Sequence, residues 1–280
     1  MTQAHNLARV MAIVNRTPDS FYDKGATFEL DSAIQRAEQA LDDGASIIDI
    51  GGVKAGPGQH VDAVEEIERV VPTIAELHRR RPEALISVDT WRAEVADAAI
   101  AAGAGLVNDT WAGWDPELIE VAGHHKVGYV CSHTGGVTPR TRPHRVHFDD
   151  VVADVISETT RLAERAADLG CPEELTFIDP THDFGKNTFH GLELLRRIDE
   201  IVATGWPVLM ALSNKDFVGE TLDRAVDQRV AGTLAATAWS AARGVAAFRV
   251  HEVAPTLDVI RMTAAIQGQM APLATTRGLA

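Results

Sequence analysis

Short apolar runs recur along the chain at residues 10–14, 46–50, 85–88, 105–107, 127–131, 175–178, 207–212 and 246–250. Each is brief, rich in Val and Ile, and free of polar alternation, which predicts parallel strands covered on both faces. The stretches between them carry helical spacing. Asp31 is placed to cap a helix whose apolar positions are Ile34, Ala37 and Leu41, with Gly44 beyond its end. Residues 61–78 set Val64, Ile67, Val71, Ile74 and Leu77 on one side, and Pro72 predicts a kink or a division into two short helices. Residues 91–102, 115–123, 148–169, 192–203, 224–242 and 255–266 complete the helical set. The eight units recur about every 32 residues, near the size of a βα repeat. Strand and helix alternating eight times predict an α/β fold, a single-domain (β/α)8 TIM barrel over residues 1–267, with an open doubly wound sheet as the alternative. Residues 134–146, rich in Thr, Pro, Arg and Gly, read as one long loop, and residues 268–280 as a loose tail.

Composition narrows the function classes. Of 280 residues, 45% are hydrophobic and 24% charged, a globular balance that sets disorder and coiled coil aside. The formal net charge of −14 repels nucleic acid and anionic membranes at long range, yet leaves room for an anionic small molecule at a locally basic site. No apolar run approaches the roughly 18 residues of a membrane span, and the start lacks a basic region followed by an apolar stretch, so a cytoplasmic protein is expected. Two cysteines, Cys131 and Cys171, make no disulfide framework, and Cys131 in VGYVC reads as core.

In a barrel of this kind the chemistry lies at the C-terminal ends of the strands. Those ends read Asn15, Asp49 with Gly51-Gly52, Asp89-Thr90, Asn108-Asp109, Ser132-His133, Asp179, Ser213-Asn214-Lys215, and Arg249 with His251. Any one of these could be a turn or a helix cap, but eight converge on one mouth. Asp89, Asn108 and Asp179 suit a flat heterocycle with adjacent N–H groups and a carbonyl. Lys215, Arg249 and His251 suit an anion, and Asn15 offers an oxygen to Mg2+. The segment SHTGGVTPRTRPHRVHFDD holds His133, His144, His147 and Asp149, which have metal-ligand chemistry. It lacks a tight pair such as HExxH and reads as a basic surface loop.

These motifs resemble dihydropteroate synthases over nearly the whole chain, in order. VMAIVNRTPDSFYDKG is similar to that family's first-strand signature and ASIIDIGGVKAGPG to its second. ISVDTWRAEVADAAIAAGA and LVNDTWAG follow, then FIDPTHDFGK, ALSNKDFVG and FRVHEV. The resemblance implies a (β/α)8 barrel, usually a homodimer, that condenses a pterin pyrophosphate with para-aminobenzoate in folate synthesis. Carried over by motif, Asp89, Asn108, Asp179 and Lys215 would hold the pterin. Arg249 and His251 would meet the pyrophosphate, and Asn15 would bind Mg2+. Lys215 and Arg249 are the catalytic candidates, and para-aminobenzoate or sulfa-like molecules are candidate ligands.

The departures are concentrated. Where the family reads Gly-Gly-Glu-Ser-Thr-Arg-Pro-Gly, this chain has Gly51-Gly52-Val53-Lys54-Ala55-Gly56-Pro57-Gly58, so Gly56 stands where an arginine would contact pyrophosphate. Asn214 replaces a second arginine. Thr181, His182 and Asp183 replace a Gly-x-Gly portion, and Asp183 brings negative charge towards the anion side. Arg16 and Lys24 replace an apolar residue and a glycine in the first loop. Each lost charge-assisted phosphate contact costs roughly 1.5–3 kcal/mol. The expectation is a homologue that keeps the pterin floor and has lost or strongly impaired the condensation. The alternatives are a working synthase in which Arg16, Lys24 or Lys54 compensates, a pterin-dependent methyltransferase, and a non-catalytic pterin-binding partner.

Overall fold

The computed structural model describes residues 7–17, 29–141 and 147–277. Its strands are β1 (Arg9–Asn15), β2 (Ile47–Gly51), β3 (Leu85–Asp89), β4 (Leu106–Asp109), β5 (Gly128–Ser132), β6 (Thr176–Asp179), β7 (Leu209–Met210) and β8 (Ala247–Val250). Helices α1 (Leu30–Asp42), α2 (Ala63–Arg80), α3 (Ala93–Ala101), α4 (Leu118–His125) and α5 (Val151–Asp168) each follow the strand of the same number. Two helices follow β6, α6 (Thr188–Arg196) and α7 (Ile198–Val202). Two follow β7, α8 (Asp216–Leu222) and α9 (Val230–Ala241), and α10 (Val253–Ile266) follows β8. All strand pairs are parallel, in the order β6-β5-β4-β3-β2-β1-β8-β7. One bridge, Ile178 to Val208, with the Ile178 N–H donating to the Pro207 carbonyl at 2.9 Å, joins the two ends. The expected (β/α)8 barrel is therefore present and nearly closed, and the open sheet is set aside.

The pleat positions the site. Met11, Ile47, Leu106, Val130, Phe177, Leu209 and Ala247 point inward and form a small apolar cluster inside the barrel, with Leu85 against it. Side chains two residues apart share a face of a strand. Above Leu106 therefore stands Asn108, above Phe177 Asp179, above Ala247 Arg249, and two steps above Leu85 stands Asp89. The opposite faces, Val10, Ala12, Ile48, Ile50, Ile86 and Val88, pack with Ile34, Ile74 and Leu77 of the surrounding helices. Phe177, 1% exposed at the bottom of the stack, is the bulkiest plug of the floor. Truncating it to Ala would cost about 3–5 kcal/mol.

Some local expectations are corrected. Asp31 lies in the first turn of α1 and makes no capping bond; the cap position is Glu29. Helix α2 runs unbroken through Pro72, because Val70, Ile74 and Leu77 bury one continuous face and Asp62 caps the start by accepting from the Glu65 N–H at 2.9 Å. Residues 192–203 and 224–242 are each divided, the second into a 3-10 turn (Val226–Gln228) and α9. The fifth loop has no helix or strand as far as residue 141, residues 142–146 lie outside the described set, and residues 268–277 also carry no regular element. Among the described residues no helix is long and apolar enough to cross a membrane.

Candidate functional site

A cavity of about 630 Å3 opens at the C-terminal ends of the strands. Its lining includes Asn15, Asp89, Asn108, Asp179, Lys215, Arg249 and His251, so the fold brings all seven candidates together. A larger cavity of about 1000 Å3, lined by Trp114, Phe148, Asp154 and others, lies against α5 and takes in none of the seven.

The floor of the mouth is organised by a residue that motif reading left without a role. Asp49, fully buried on β2, accepts from Ser87 Oγ at 2.6 Å, Asn108 Nδ2 at 3.0 Å and Arg249 Nε at 2.6 Å. Arg249 donates its Nη2 to Asp89 Oδ2 at 2.6 Å, and Thr110 Oγ1 donates to the other Asp89 oxygen. One guanidinium thus bridges two carboxylates. Burial tends to lower the Arg249 pKa, but Asp49 and Asp89 outweigh it and hold the group charged. Burial pushes the Asp89 carboxyl up to about 6; Arg249 opposes the rise and Asp49 adds to it. With its amide nitrogen spent on Asp49, Asn108 can present its oxygen to a ligand N–H. Asp179 accepts the Thr181 N–H at 2.7 Å, and its pKa is raised by burial against the pull of Lys215.

Lys215, just past β7, donates to the His182 carbonyl and lies 5.0 Å from the centre of the Phe184 ring. Burial lowers its pKa, opposed by Asp183 and Asp179. Lys186 is buried deeper in the same wall and donates to the carbonyls of His133 at 2.7 Å, Thr181 at 3.3 Å and Phe184 at 3.1 Å. Burial brings its pKa down to about 7. Ser213 Oγ and His251 Nδ1 are 2.9 Å apart, and Ser213 also donates to Glu252 at 3.2 Å. Asn214 donates Nδ2 to the other Glu252 oxygen at 2.9 Å, and its N–H to Thr233 Oγ1 at 3.0 Å. The residue in place of the seventh-strand arginine is therefore tied sideways.

The second loop supplies Val53, Lys54, Ala55 and Gly56 to the wall. Gly52 lets it pass α2 closely, since a Cβ there would lie 2.9 Å from Val70 Cγ1. Arg69 donates to the Gly52 carbonyl at 2.8 Å, and Arg140 from the fifth loop donates to the carbonyls of Gly56 at 3.3 Å and Gln59 at 2.8 Å. Arg16 does not line the cavity; its Nε donates to the Arg69 carbonyl at 3.1 Å. Of the three proposed compensating cations, Lys54 alone is placed in the wall, and Lys24 lies outside the described residues.

The segment after β6 is the most unusual part of the wall. Thr181 and Asp183 are held at φ of +52° and +69°. That region suits glycine and is disfavoured for a β-branched side chain. The Thr181 hydroxyl accepts the His133 N–H at 3.1 Å and donates to the Asp179 carbonyl at 2.9 Å. Asp183 accepts the N–H groups of Asp216 and Phe217, the latter at 3.3 Å. His182 is fully buried; its Nε2 lies 3.2 Å from the Gly191 carbonyl, and burial with Lys215 nearby brings its pKa down to about 3. Of the histidine-rich loop, His133 pairs with Asp154 at 2.9 Å, His147 lies 3.4 Å from Asp149, and His144 is outside the described residues. Among the described residues no three His, Cys, Asp or Glu side chains group as a metal site.

Residues 11–251 match the family described as pterin binding enzyme. The chain belongs to the pterin-binding enzyme family. Within it, the chain is 59% identical over 275 residues to a protein of Mycobacterium leprae named inactive dihydropteroate synthase 2, covering 97% of this chain and 94% of that one. It is 36% identical over 258 residues to the dihydropteroate synthase of Haemophilus influenzae, covering 92% and 93%. The dihydropteroate synthase of Yersinia pestis, solved as a sulfonamide drug complex, superposes with a TM-score of 0.88 at 34% identity, over 94% of this chain and 95% of that one. The chain is a dihydropteroate synthase homologue.

Proposed function

We propose that this protein binds the bicyclic pterin ring and does not carry out the condensation with para-aminobenzoate at a useful rate. The observation that carries the reading is the contrast between floor and rim. Asp89, Asp179 and the Asn108 oxygen stand as acceptors around Arg249, a set that matches the N–H edge of a pterin. At the rim, Gly56 and Asn214 supply no cation where the resemblance calls for two arginines. Displacing diphosphate from the ring's exocyclic methylene needs its growing charge neutralised as the aryl amine attacks. Two missing contacts withdraw about 3–6 kcal/mol, or on the order of 10²–10⁴ in rate. The name of the Mycobacterium leprae relative supports the same reading.

Asn15 lines the cavity and offers a side-chain oxygen, and among the described residues no group of three His, Cys, Asp or Glu side chains stands ready to hold a resident metal. Magnesium would enter as the companion of a phosphorylated ligand, with Asn15 and waters around it. Sulfonamide or para-aminobenzoate ligands would sit on the outer side of the ring. A cytoplasmic homodimer completes the reading; exposed Trp239 on α9 and Met262 and Ile266 on α10 offer an apolar surface for a second copy, which light scattering would test.

Calorimetry with a hydroxymethyl pterin, beside a turnover assay with pterin pyrophosphate, Mg2+ and para-aminobenzoate, tests the proposal. Saturable ring binding without turnover is expected. A turnover on the order of 1 s⁻¹, typical of enzymes, refutes the loss of condensation. No binding at millimolar pterin refutes the ring site.

A further inference from the structure

The wall of the cavity contains an anion of its own. Asp183 follows β6 and lines the same cavity as Lys215. Its carboxylate takes the N–H groups of Asp216 and Phe217, the first two residues of α8. Two N–H donors that an incoming phosphate would use on this side are therefore already taken from within the chain, and Lys215 donates to the His182 carbonyl. The neighbouring positive groups are matched as well. Arg229 is 2.9 Å from Asp216, Arg249 is shared between Asp49 and Asp89, and Lys186 spends its ammonium on three carbonyls. The chain holds Asp183 at a φ of +69° to achieve this.

We propose that Asp183 acts as a built-in counter-anion that sets the ligand class of the cavity, admitting a pterin-like ring with an uncharged side arm in preference to one carrying a diphosphate. This rests on the pterin reading above and deepens it. An arm such as hydroxymethyl needs no cation and meets no repulsion at this wall. A diphosphate arm must lie beside the Asp183 carboxylate, which like charge opposes, or displace it from its N–H partners, which the loss of those hydrogen bonds opposes.

Two variants test it. Asp183→Asn keeps the shape and one acceptor oxygen while removing the charge, and Asp183→Gly suits the positive φ. Calorimetry is run with a hydroxymethyl pterin and with its diphosphate ester. The wild-type protein is expected to bind the hydroxymethyl compound at least as tightly as the ester. The variants are expected to gain tenfold or more for the ester while changing by less than threefold for the alcohol. A tenfold wild-type preference for the ester, or an unchanged ratio in folded variants, overturns the proposal. If neither pterin binds, the ring reading itself has failed, and inorganic pyrophosphate decides the role of Asp183 alone. Thermal stabilisation of Asp183→Asn by millimolar pyrophosphate, with none in the wild type, supports the built-in anion, and equal responses refute it. Should Asp183→Gly not fold, Asp183→Asn carries the same measurements.

Discussion

Replacing Asp49 with Asn isolates the charge that organises the floor. The side chain keeps its size. Its oxygen can still face Arg249 and Asn108, and its new amide can donate to Ser87 Oγ, which accepts as readily as it donates. What is lost is one of the two carboxylates on a guanidinium that is held at 2.6 Å by each. A hydrogen bond between charged groups contributes about 1.5–3 kcal/mol, against about 1 for a neutral one. Asp49→Asn should therefore destabilise the fold by about 1–2 kcal/mol, while Asp49→Ala, which leaves two buried donors and a half-paired charge, should cost about 3–5 kcal/mol. Urea unfolding gives both values, provided the slope is unchanged. The decisive comparison is a cycle with Arg249→Met. If the pair is a unit, the double variant Asp49→Asn/Arg249→Met costs less than the sum of the singles by about 1 kcal/mol or more. Costs that add within about 0.5 kcal/mol would refute the bridge, and the floor would then be held by packing alone.

Acidification tests the raised carboxyls. Asp89 and Asp109 sit near 6 because of burial, above the usual aspartate value, so the folded state takes up their protons before the unfolded chain does. Their ionised forms cost stability above pH 6, and that cost is relieved between about pH 6 and 4, so Asp89→Asn and Asp109→Asn should each flatten the unfolding profile in this window. Affinity for a hydroxymethyl pterin should fall as pH drops through 6, by up to about tenfold per unit, and Asp89→Asn should bind weakly at every pH; a parallel profile in the variant would remove Asp89 from the site. Restoring Glu, Ser, Thr and Arg at Val53, Lys54, Ala55 and Gly56 together with Asn214→Arg should raise condensation at least about tenfold, measured as dihydropteroate formed, and no increase would locate the defect elsewhere. Arg140→Ala frees the Gly56 and Gln59 carbonyls, and proteolysis within residues 53–60 should quicken with little change in unfolding free energy.

The fold was legible because its signal is coarse. Strands buried on both faces must be apolar throughout, and each of the eight runs, 10–14 to 246–250, overlaps a strand. The pleat then carried the candidate residues upward from the floor, which is why Asp89, Asn108, Asp179 and Arg249 meet in one cavity. What spacing does not encode is which polar groups join across strands. Asp49 and Arg249 are 200 residues apart, and no local pattern pairs them. By sequence Asp183 is charge added to a binding loop, and its commitment to the Asp216 and Phe217 N–H groups depends on a helix that follows another strand. Helix α8 has no signal in its own segment for the same reason: it is only seven residues long, and its first N–H groups are met by Asp183 from the loop after β6. By sequence Arg16 is a candidate compensating cation, yet it does not line the cavity and its Nε donates to the Arg69 carbonyl.

The seam between β6 and β7, held by a single bridge from Ile178 to Val208, is the thinnest pairing of this barrel, and it is where opening is expected first. Asp179 stands on one lip of that gap and Lys215 beyond the other, so a molecule gripped by both works as a stitch. Occupancy would then be felt below the mouth as slowed amide exchange at Ile178, and a ring too small to reach both lips would leave the breathing of the staves unchanged.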